Sequence, residues 1–353
     1  MALPLPSFYD PSNAARWSYR PDESRLFAEA AAWRKAHGIA SAGDDRRRVH
    51  LLLIDCQKDF SLPEGALYVG GRSGRGAVED SDRIARFIYA NLGAITEITC
   101  TADTHVPHQI FFPAFWVDER GEPPAAHREV TAADVRAGRL RPNPELAAWL
   151  AGGDEAWLRA QAEYYCAQLE AAGKYTLYLW PPHCLIGSEG HALVGAIEEA
   201  RLFHAWVRGA RSLIETKGSN PLTENYSALS PEVRTRHDGG PPLAERDAAL
   251  MDTLLAADAL VIAGEAASHC VKATVEDLLA EIQARDPSLA RKVWLLADCM
   301  SSVAVADPAA PGRFLFDFTP QAEAALRRFG AAGMNVVRST EPMERWAARP
   351  ATA

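Results

Sequence analysis

Residues Ala259-Leu-Val-Ile-Ala-Gly-Glu-Ala-Ala-Ser-His-Cys270-Val-Lys-Ala-Thr-Val-Glu-Asp-Leu-Leu279 read as an apolar strand, a tight turn and an amphipathic helix. The run from Ala259 to Ala263 has no polar alternation, the mark of a strand covered on both faces. Beyond the turn, Val271, Val275, Leu278, Leu279 and Ile282 fall on the helical period. Cys270 therefore stands in the first turn of a helix, where unpaired N–H groups and the positive end of the helix dipole favour a thiolate. A buried structural cysteine is the commoner fate of this residue type, so the rest of the chain has to decide between the two.

Working outward, His50-Leu-Leu-Leu-Ile-Asp55 is a second unbroken apolar run. Further strands are expected at Ala94–Cys100, at Tyr175–Trp180 before Pro181-Pro182, at Ser212–Lys217, at Lys292–Asp298 and at Met334–Val337. Helical patterns lie between them, around Ile84–Ile88, at Ala192–Val207 and Ala244–Ala256, and from the cap at Thr319-Pro320. This alternation predicts an α/β fold of three layers, a mainly parallel sheet with helices on both faces. Residues 1–45 read as an N-terminal extension with a helix from Asp22 through Trp33, residues 46–340 as the main domain, and residues 341–353 as a C-terminal tail. Residues 113–174, capped at Thr131 and broken at Gly152-Gly153, depart from the strand-helix rhythm and predict a helical insertion or lid over the strand ends.

The chain of 353 residues is 48% hydrophobic and 24% charged, with a net charge of -9. That balance leaves no basic footprint for nucleic acid, and no apolar run approaches membrane length. The N-terminus shows no leader pattern, so a cytoplasmic protein is expected. The six cysteines, 56, 100, 166, 184, 270 and 299, have no paired spacing, which argues against a disulfide framework or a zinc ribbon. A small molecule is the expected partner.

In an open parallel sheet the ligand crevice lies beyond the carboxyl ends of the strands. Asp55, Asp103, His105, His183, Lys217 and Cys270 all follow or end expected strands. Amide hydrolysis needs a nucleophile, a base to take its proton and an acid to return one to the leaving amine. Cys270 would attack, Asp55 would shuttle the proton, and Lys217 would hold Asp55 and favour the thiolate. Asp103 and His105, with His183 from the next strand and His108 as a candidate fourth ligand, form an oxygen and imidazole set. Such a set suits one divalent metal ion, zinc foremost, with manganese or iron as alternatives.

The segments Asp55-Cys-Gln-Lys-Asp-Phe60, Asp103-Thr-His105, Trp180-Pro-Pro-His-Cys184, Lys217-Gly with Tyr226-Ser-Ala, and Gly264-Glu-Ala-Ala-Ser-His-Cys270-Val carry a resemblance to a known family. In order and spacing the sequence resembles the isochorismatase-like cysteine hydrolases, and most closely the nicotinamidases, also called pyrazinamidases. The resemblance implies that Asp55, Lys217 and Cys270 are the catalytic triad and that Asp103, His105 and His183 are the metal ligands. It further implies that Phe60 and Trp180, with Tyr226, bind a pyridine ring whose nitrogen contacts the metal. The N–H groups of Ala266 and Cys270 would form the oxyanion hole, beside a cis peptide between Glu265 and Ala266. The implied reaction converts nicotinamide to nicotinate and ammonia through a Cys270 thioester, and a homo-oligomer is expected by analogy. Thr104, Ser268 and Leu229 depart from the family's habit, where tryptophan, an acidic residue and phenylalanine are common. A different carboxamide or an N-carbamoyl substrate, or a non-catalytic metal- or ligand-binding homologue, are the alternatives.

Overall fold

Alternate residues of the run ending at Ile54 enter two different cores, and this sets the layering of the molecule. Leu51 and Leu53 join a cluster with Ile84, Ile88, Ile197 and Phe203, whereas Leu52 and Ile54 join one with Leu254, Val275, Leu278 and Phe329. A strand that must bury both faces ends up in the middle of a sheet with helices on either side. In the computed structural model, which describes residues 2–173, 175–307, 309–310 and 312–348, this is the arrangement found. The sheet strands are β1 (Val49–Ile54), β2 (Glu97–Asp103), β3 (Ser212–Lys217), β4 (Ala259–Gly264), β5 (Val293–Leu296) and β6 (Asn335–Val337). All are parallel, in the order β6-β5-β4-β1-β2-β3.

The long helices are α1 (Glu23–His37), α2 (Gly76–Ala90), α3 (Glu155–Ala171), α4 (Gly195–Arg208), α5 (Ala248–Ala256), α6 (Cys270–Arg285) and α7 (Thr319–Ala331). Helices α2 and α4 cover the Leu51 face, and α5, α6 and α7 cover the Leu52 face. Asp22 caps α1 by accepting from the Arg25 N–H, and Gly38 ends the helix in the left-handed conformation. The α/β class and layering expected from the sequence are those of the structure. Among the described residues, no helix is long and apolar enough to cross a membrane.

Strand order runs outward from β1 in one direction and from β4 in the other, so the order switches between these two neighbours. Crevices for ligands form at such a switch. Gly264, at the end of β4, has φ 117°, and a Cβ there would lie 2.1 Å from the Ile54 carbonyl oxygen. Glycine is thus required for β4 to close against β1 at this point.

Two expectations need correction. The segment Tyr175–Trp180 does not join the main sheet: only Leu177–Tyr178 is extended, and it pairs antiparallel with Glu129–Val130. Its neighbouring backbone groups are used the same way. Leu179 donates to the Arg128 carbonyl at 2.8 Å, and Trp180 donates to that of Phe111 at 2.9 Å. The apolar side chains Leu177 and Leu179 are buried in the separate core of the insertion, with Phe112, Trp116, Tyr165 and Leu169. Strand β2 is displaced by three residues at each end from the expected Ala94–Cys100. The Ile95 N–H closes a turn onto Asn91 at 3.0 Å, and the ladder then carries through to Asp103.

Within the insertion, Thr131 caps a short helix, Ala132–Arg136, through a reciprocal bond with Asp134. The break at Gly152-Gly153 precedes α3, and Lys174, the last residue of the expected insertion, lies outside the described residues. At the C-terminus, Trp346 stacks on Trp294 with ring centroids 4.5 Å apart. Residues 349–353 of the expected tail lie outside the described residues.

Candidate active site

Asp55 is the first residue after β1 and the loop to Cys270 is the first after β4, so the two meet across the switch. Lys217 is the last residue of β3 and is the cross-strand partner of Asp103, the last residue of β2. Its ammonium lies 2.9 Å from Asp55 Oδ2, contacts Asp103 Oδ1, donates to the Asn225 carbonyl at 2.8 Å and stands 3.7 Å from Cys270 Sγ. Asp55, Lys217 and Cys270 are thus brought together as expected, all of them buried.

Asp55 has φ 48°, an uncommon conformation for a residue other than glycine. Thr101 holds it there: its hydroxyl donates to Asp55 Oδ1 at 2.6 Å and accepts from the Asp55 N–H at 3.1 Å. Burial raises the Asp55 carboxyl above the usual range, while the charge of Lys217 opposes this. Cys270 opens α6, as expected. Burial nevertheless pushes its thiol up, outweighing the nearby Lys217. That shift works against the thiolate expected from helix position and lysine charge.

Asp103, His105 and His183 offer donor atoms within 4.8 Å of one another, all buried. His105 Nδ1 lies 3.1 Å from the Gly218 carbonyl and His183 Nδ1 lies 2.8 Å from that of Pro181. A ring nitrogen facing a carbonyl must carry the proton, so Nε2 of each ring keeps its lone pair. His105 Nε2 is buried with no hydrogen-bond partner among the described residues, and an orphaned acceptor of this kind fits a metal ligand. Burial lowers the His183 pKa to about 4, which keeps that ring neutral. Asp103 keeps its charge against the cost of burial because the Lys217 ammonium holds it well below the usual carboxylate range.

His183 reaches this cluster without a central strand to carry it. The His105 N–H donates to the Cys184 carbonyl at 3.0 Å and the Ile186 N–H donates back to His105 at 3.0 Å, forming a parallel bridge. Asp59 completes the strap by accepting from the Cys184 N–H at 2.7 Å and the Ala66 N–H at 3.0 Å. In the sequence Asp59 is one more acidic residue of its motif with no task of its own; its burial at 8% exposure is the sign that it has one. Gly218 packs against the same cluster, where a Cβ would lie 2.7 Å from His105 Cε1. His108 is not among the grouped donors. Beyond Pro107 the chain turns away, with Ile110 donating to Pro221 at 2.8 Å and the His108 ring facing Trp149.

Cys270 and the candidate metal-ligand set Asp103, His105 and His183 line one partly open cavity, a concave setting of the kind that takes small molecules. Phe60 and Trp180 line it, and the Trp180 indole N–H donates to the Tyr226 hydroxyl at 2.9 Å. Glu224, unassigned by sequence, also lines it, accepts from Tyr175 at 3.1 Å and has its pKa raised to about 8 by burial. No sequence signal separates it from other acidic loop residues. The peptide between Glu265 and Ala266 is cis.

No family model matches the sequence, and no curated relative does. Solved structures do. The chain is similar to an Acinetobacter baumanii nicotinamidase/pyrazinamidase, at 18% identity, over 84% of this chain and 99% of that one, with a TM-score of 0.48. The yeast nicotinamidase Pnc1p bound to the inhibitor nicotinaldehyde matches at 19% identity, 82% and 99% coverage and a TM-score of 0.48. The pyrazinamidase of Pyrococcus horikoshii in complex with zinc matches at 18% identity, 82% and 99% coverage and a TM-score of 0.42.

Proposed function

We propose that the protein is a metal-dependent cysteine amidohydrolase that converts nicotinamide and water to nicotinate and ammonia. The observation that carries this reading is the placement of the Lys217 ammonium, which touches Asp55 and Asp103 and stands 3.7 Å from Cys270 Sγ. One cation thereby joins the proposed nucleophile and its base to the proposed metal-ligand set. The motif resemblance supports the pyridine carboxamide as substrate.

In the proposed reaction Asp55 takes the Cys270 proton as sulfur attacks the carboxamide carbon, so a free thiolate is never held in the buried site. The N–H groups of Ala266 and Cys270 receive the developing oxyanion. Asp55 then returns the proton to the amine, ammonia leaves and a thioester remains. Water, deprotonated by the same carboxylate, attacks the thioester; the carbon–sulfur bond breaks, Asp55 passes that proton to the departing Cys270 sulfur, and the carboxylic acid is released. Lys217 stays charged throughout and fixes the orientation of Asp55. Phe60 and Trp180 hold the ring. Asp103, His105 and His183 would hold a divalent ion, zinc foremost, which supplies a Lewis acid for a ring nitrogen or a water.

A second substrate reading is favoured by an open cleft that shares Trp180, Tyr226 and His269 with the inner cavity. This cleft would admit a larger carboxamide or an N-carbamoyl compound. Ammonia release by metal-loaded protein from nicotinamide and from a panel of amides separates the two. Turnover of nicotinamide that disappears in Cys270→Ala is the expected result. Full activity in that variant would overturn the mechanism, and turnover of only larger amides would overturn the substrate.

A further inference from the structure

Strand β1 stops pairing with β2 before β2 ends. The ladder between them runs from His50 and Glu97 to Leu53 and Cys100, whereas on its other side β2 stays paired with β3 as far as Asp103 and Lys217. The positive φ of Asp55 turns the chain away just past the end of β1. Asp103 therefore has a strand on one side alone, although it is buried and its own N–H and carbonyl point to the vacated side. Buried backbone groups of this kind have to be paired.

The Gln57 side chain pairs them. Its Oε1 accepts from the Asp103 N–H at 2.7 Å, and its Nε2 donates to the Asp103 carbonyl at 2.8 Å and to the His191 carbonyl at 2.9 Å. The reverse orientation of the amide would set Nε2 against a backbone donor and Oε1 against two acceptors, so the partners fix which way it faces. A side-chain amide thus takes the place of the next peptide of β1. Gln57 is 0% exposed, and the backbone around it is anchored. The Val194 N–H donates to the Cys56 carbonyl at 3.0 Å, the Lys58 N–H to that of Ala192 at 2.9 Å and the Asp59 N–H to that of Gly190 at 3.1 Å. The same segment is reached from Thr104, whose Oγ1 lies 2.8 Å from His191 Nε2.

Asp103 and His105 are two residues apart, and an extended backbone turns their side chains to one face. Their donor atoms, with that of His183, lie within 4.8 Å of one another. On the β3 side the backbone between them is held by the Thr104 N–H, which donates to the Lys217 carbonyl at 2.8 Å. On the β1 side the hold comes from Gln57. We propose that Gln57 is a positioning residue for the metal-ligand set: its amide fixes the backbone of Asp103, so that the donor atoms of Asp103 and His105 are in place before an ion arrives. This role rests on the proposed assignment of Asp103, His105 and His183 as ligands. Without the amide the end of β2 keeps strand partners on one side only, and binding has to order what the wild-type protein holds ready.

The test uses full-length protein freed of metal, at a temperature where every variant compared is folded. Gln57→Met keeps the length of the side chain and removes its three hydrogen bonds. Gln57→Asn keeps an amide but falls short of Asp103, and it serves if the methionine variant does not fold. Cobalt(II) is the probe, titrated in competition with a chelator while the visible absorption of the bound ion is recorded. Wild type should bind it and Asp103→Ala should not, which locates the ion. In the Gln57 variants the cobalt Kd should rise about tenfold or more, and the spectrum at saturation should change. A Kd and a spectrum equal to those of wild type overturn the positioning role even where the melting temperature falls, because the amide would then support the fold alone. Wild-type protein that binds no cobalt, or an Asp103→Ala variant that binds it as well as wild type, overturns the ligand assignment and the role of Gln57 with it.

Discussion

Replacing Lys217 by methionine removes one positive charge and keeps most of the side-chain volume. Its ammonium faces Asp55 at 2.9 Å, Asp103, and the Asn225 carbonyl at 2.8 Å. With both carboxylates at 5% exposure or less, their charges have little access to water. Removing one member of such a buried group costs about 3–5 kcal/mol, because the remaining charge is uncompensated or must take up a proton. In a chain of this size that corresponds to a fall in Tm of about 4–7 °C, measured on metal-free protein. The same change withdraws the cation that opposes the upward shift of the Cys270 thiol. Alkylation of Cys270 by iodoacetamide near pH 8 should then slow about tenfold, the effect of roughly one pKa unit. A Lys217→Met protein that melts within 2 °C of wild type and alkylates at the same rate would refute the shared-cation account of the site.

Three further outcomes are expected. His204 is fully buried on α4, donates through Nε2 to the Ile95 carbonyl at 2.9 Å, and has its pKa lowered by burial to about 4. The protein should lose about 3 kcal/mol as pH falls from 6.5 to about 4, and urea titrations of His204→Gln should lack that acid-side loss. Gly264→Ala should reduce soluble yield or stability severely, since its Cβ would meet the Ile54 carbonyl; a well-folded variant with unchanged melting would contradict the tight closure of β4 on β1. Tyr226→Phe leaves the Trp180 indole N–H without the acceptor it has at 2.9 Å, a loss of about 1–3 kcal/mol. Amide kinetics should show a raised KM with kcat little changed, and an unaltered KM would remove Tyr226 from substrate binding.

The residues most legible in the sequence were those whose position is dictated by an apolar run. Asp55 and Cys270 could be placed because Leu51–Ile54 and Ala259–Ala263 admit only a covered parallel strand, and the residues just past the end of such a strand lie at the crevice. Lys217 was legible on a weaker signal, as the polar end of Ser212–Lys217, a mixed-polarity edge strand. His183 was grouped with Asp103 and His105, but the strand expected to deliver it was wrong. Tyr175–Trp180 has the composition of a sheet strand, and composition alone does not say which partner takes its backbone bonds. The segment pairs with Glu129–Val130 because the insertion supplies a nearer edge and its own core. Asp59 and Glu224 were not legible as buried, partnered residues. An acidic side chain reads as solvated until its burial is seen, and each of these two acquires partners remote in sequence. His108 shows the converse: a short spacing from His105 suggested a common ligand set, yet the turn after Pro107 separates the two.

The adjacency of β1 and β4 also fixes when the site can exist during synthesis. Asp55 and Cys270 are 215 residues apart in the chain, 270 less 55, and the strand that seats Cys270 pairs directly with the one that seats Asp55. At translation rates of about 5–20 residues per second, Asp55 is made roughly 10–40 s before Cys270. Throughout that interval β1 has one flank without its native neighbour. The nascent chain must keep a fully apolar strand soluble by other means, and helix α2, synthesised immediately after β1 and packed on its Leu51 face, is the first native cover available to it.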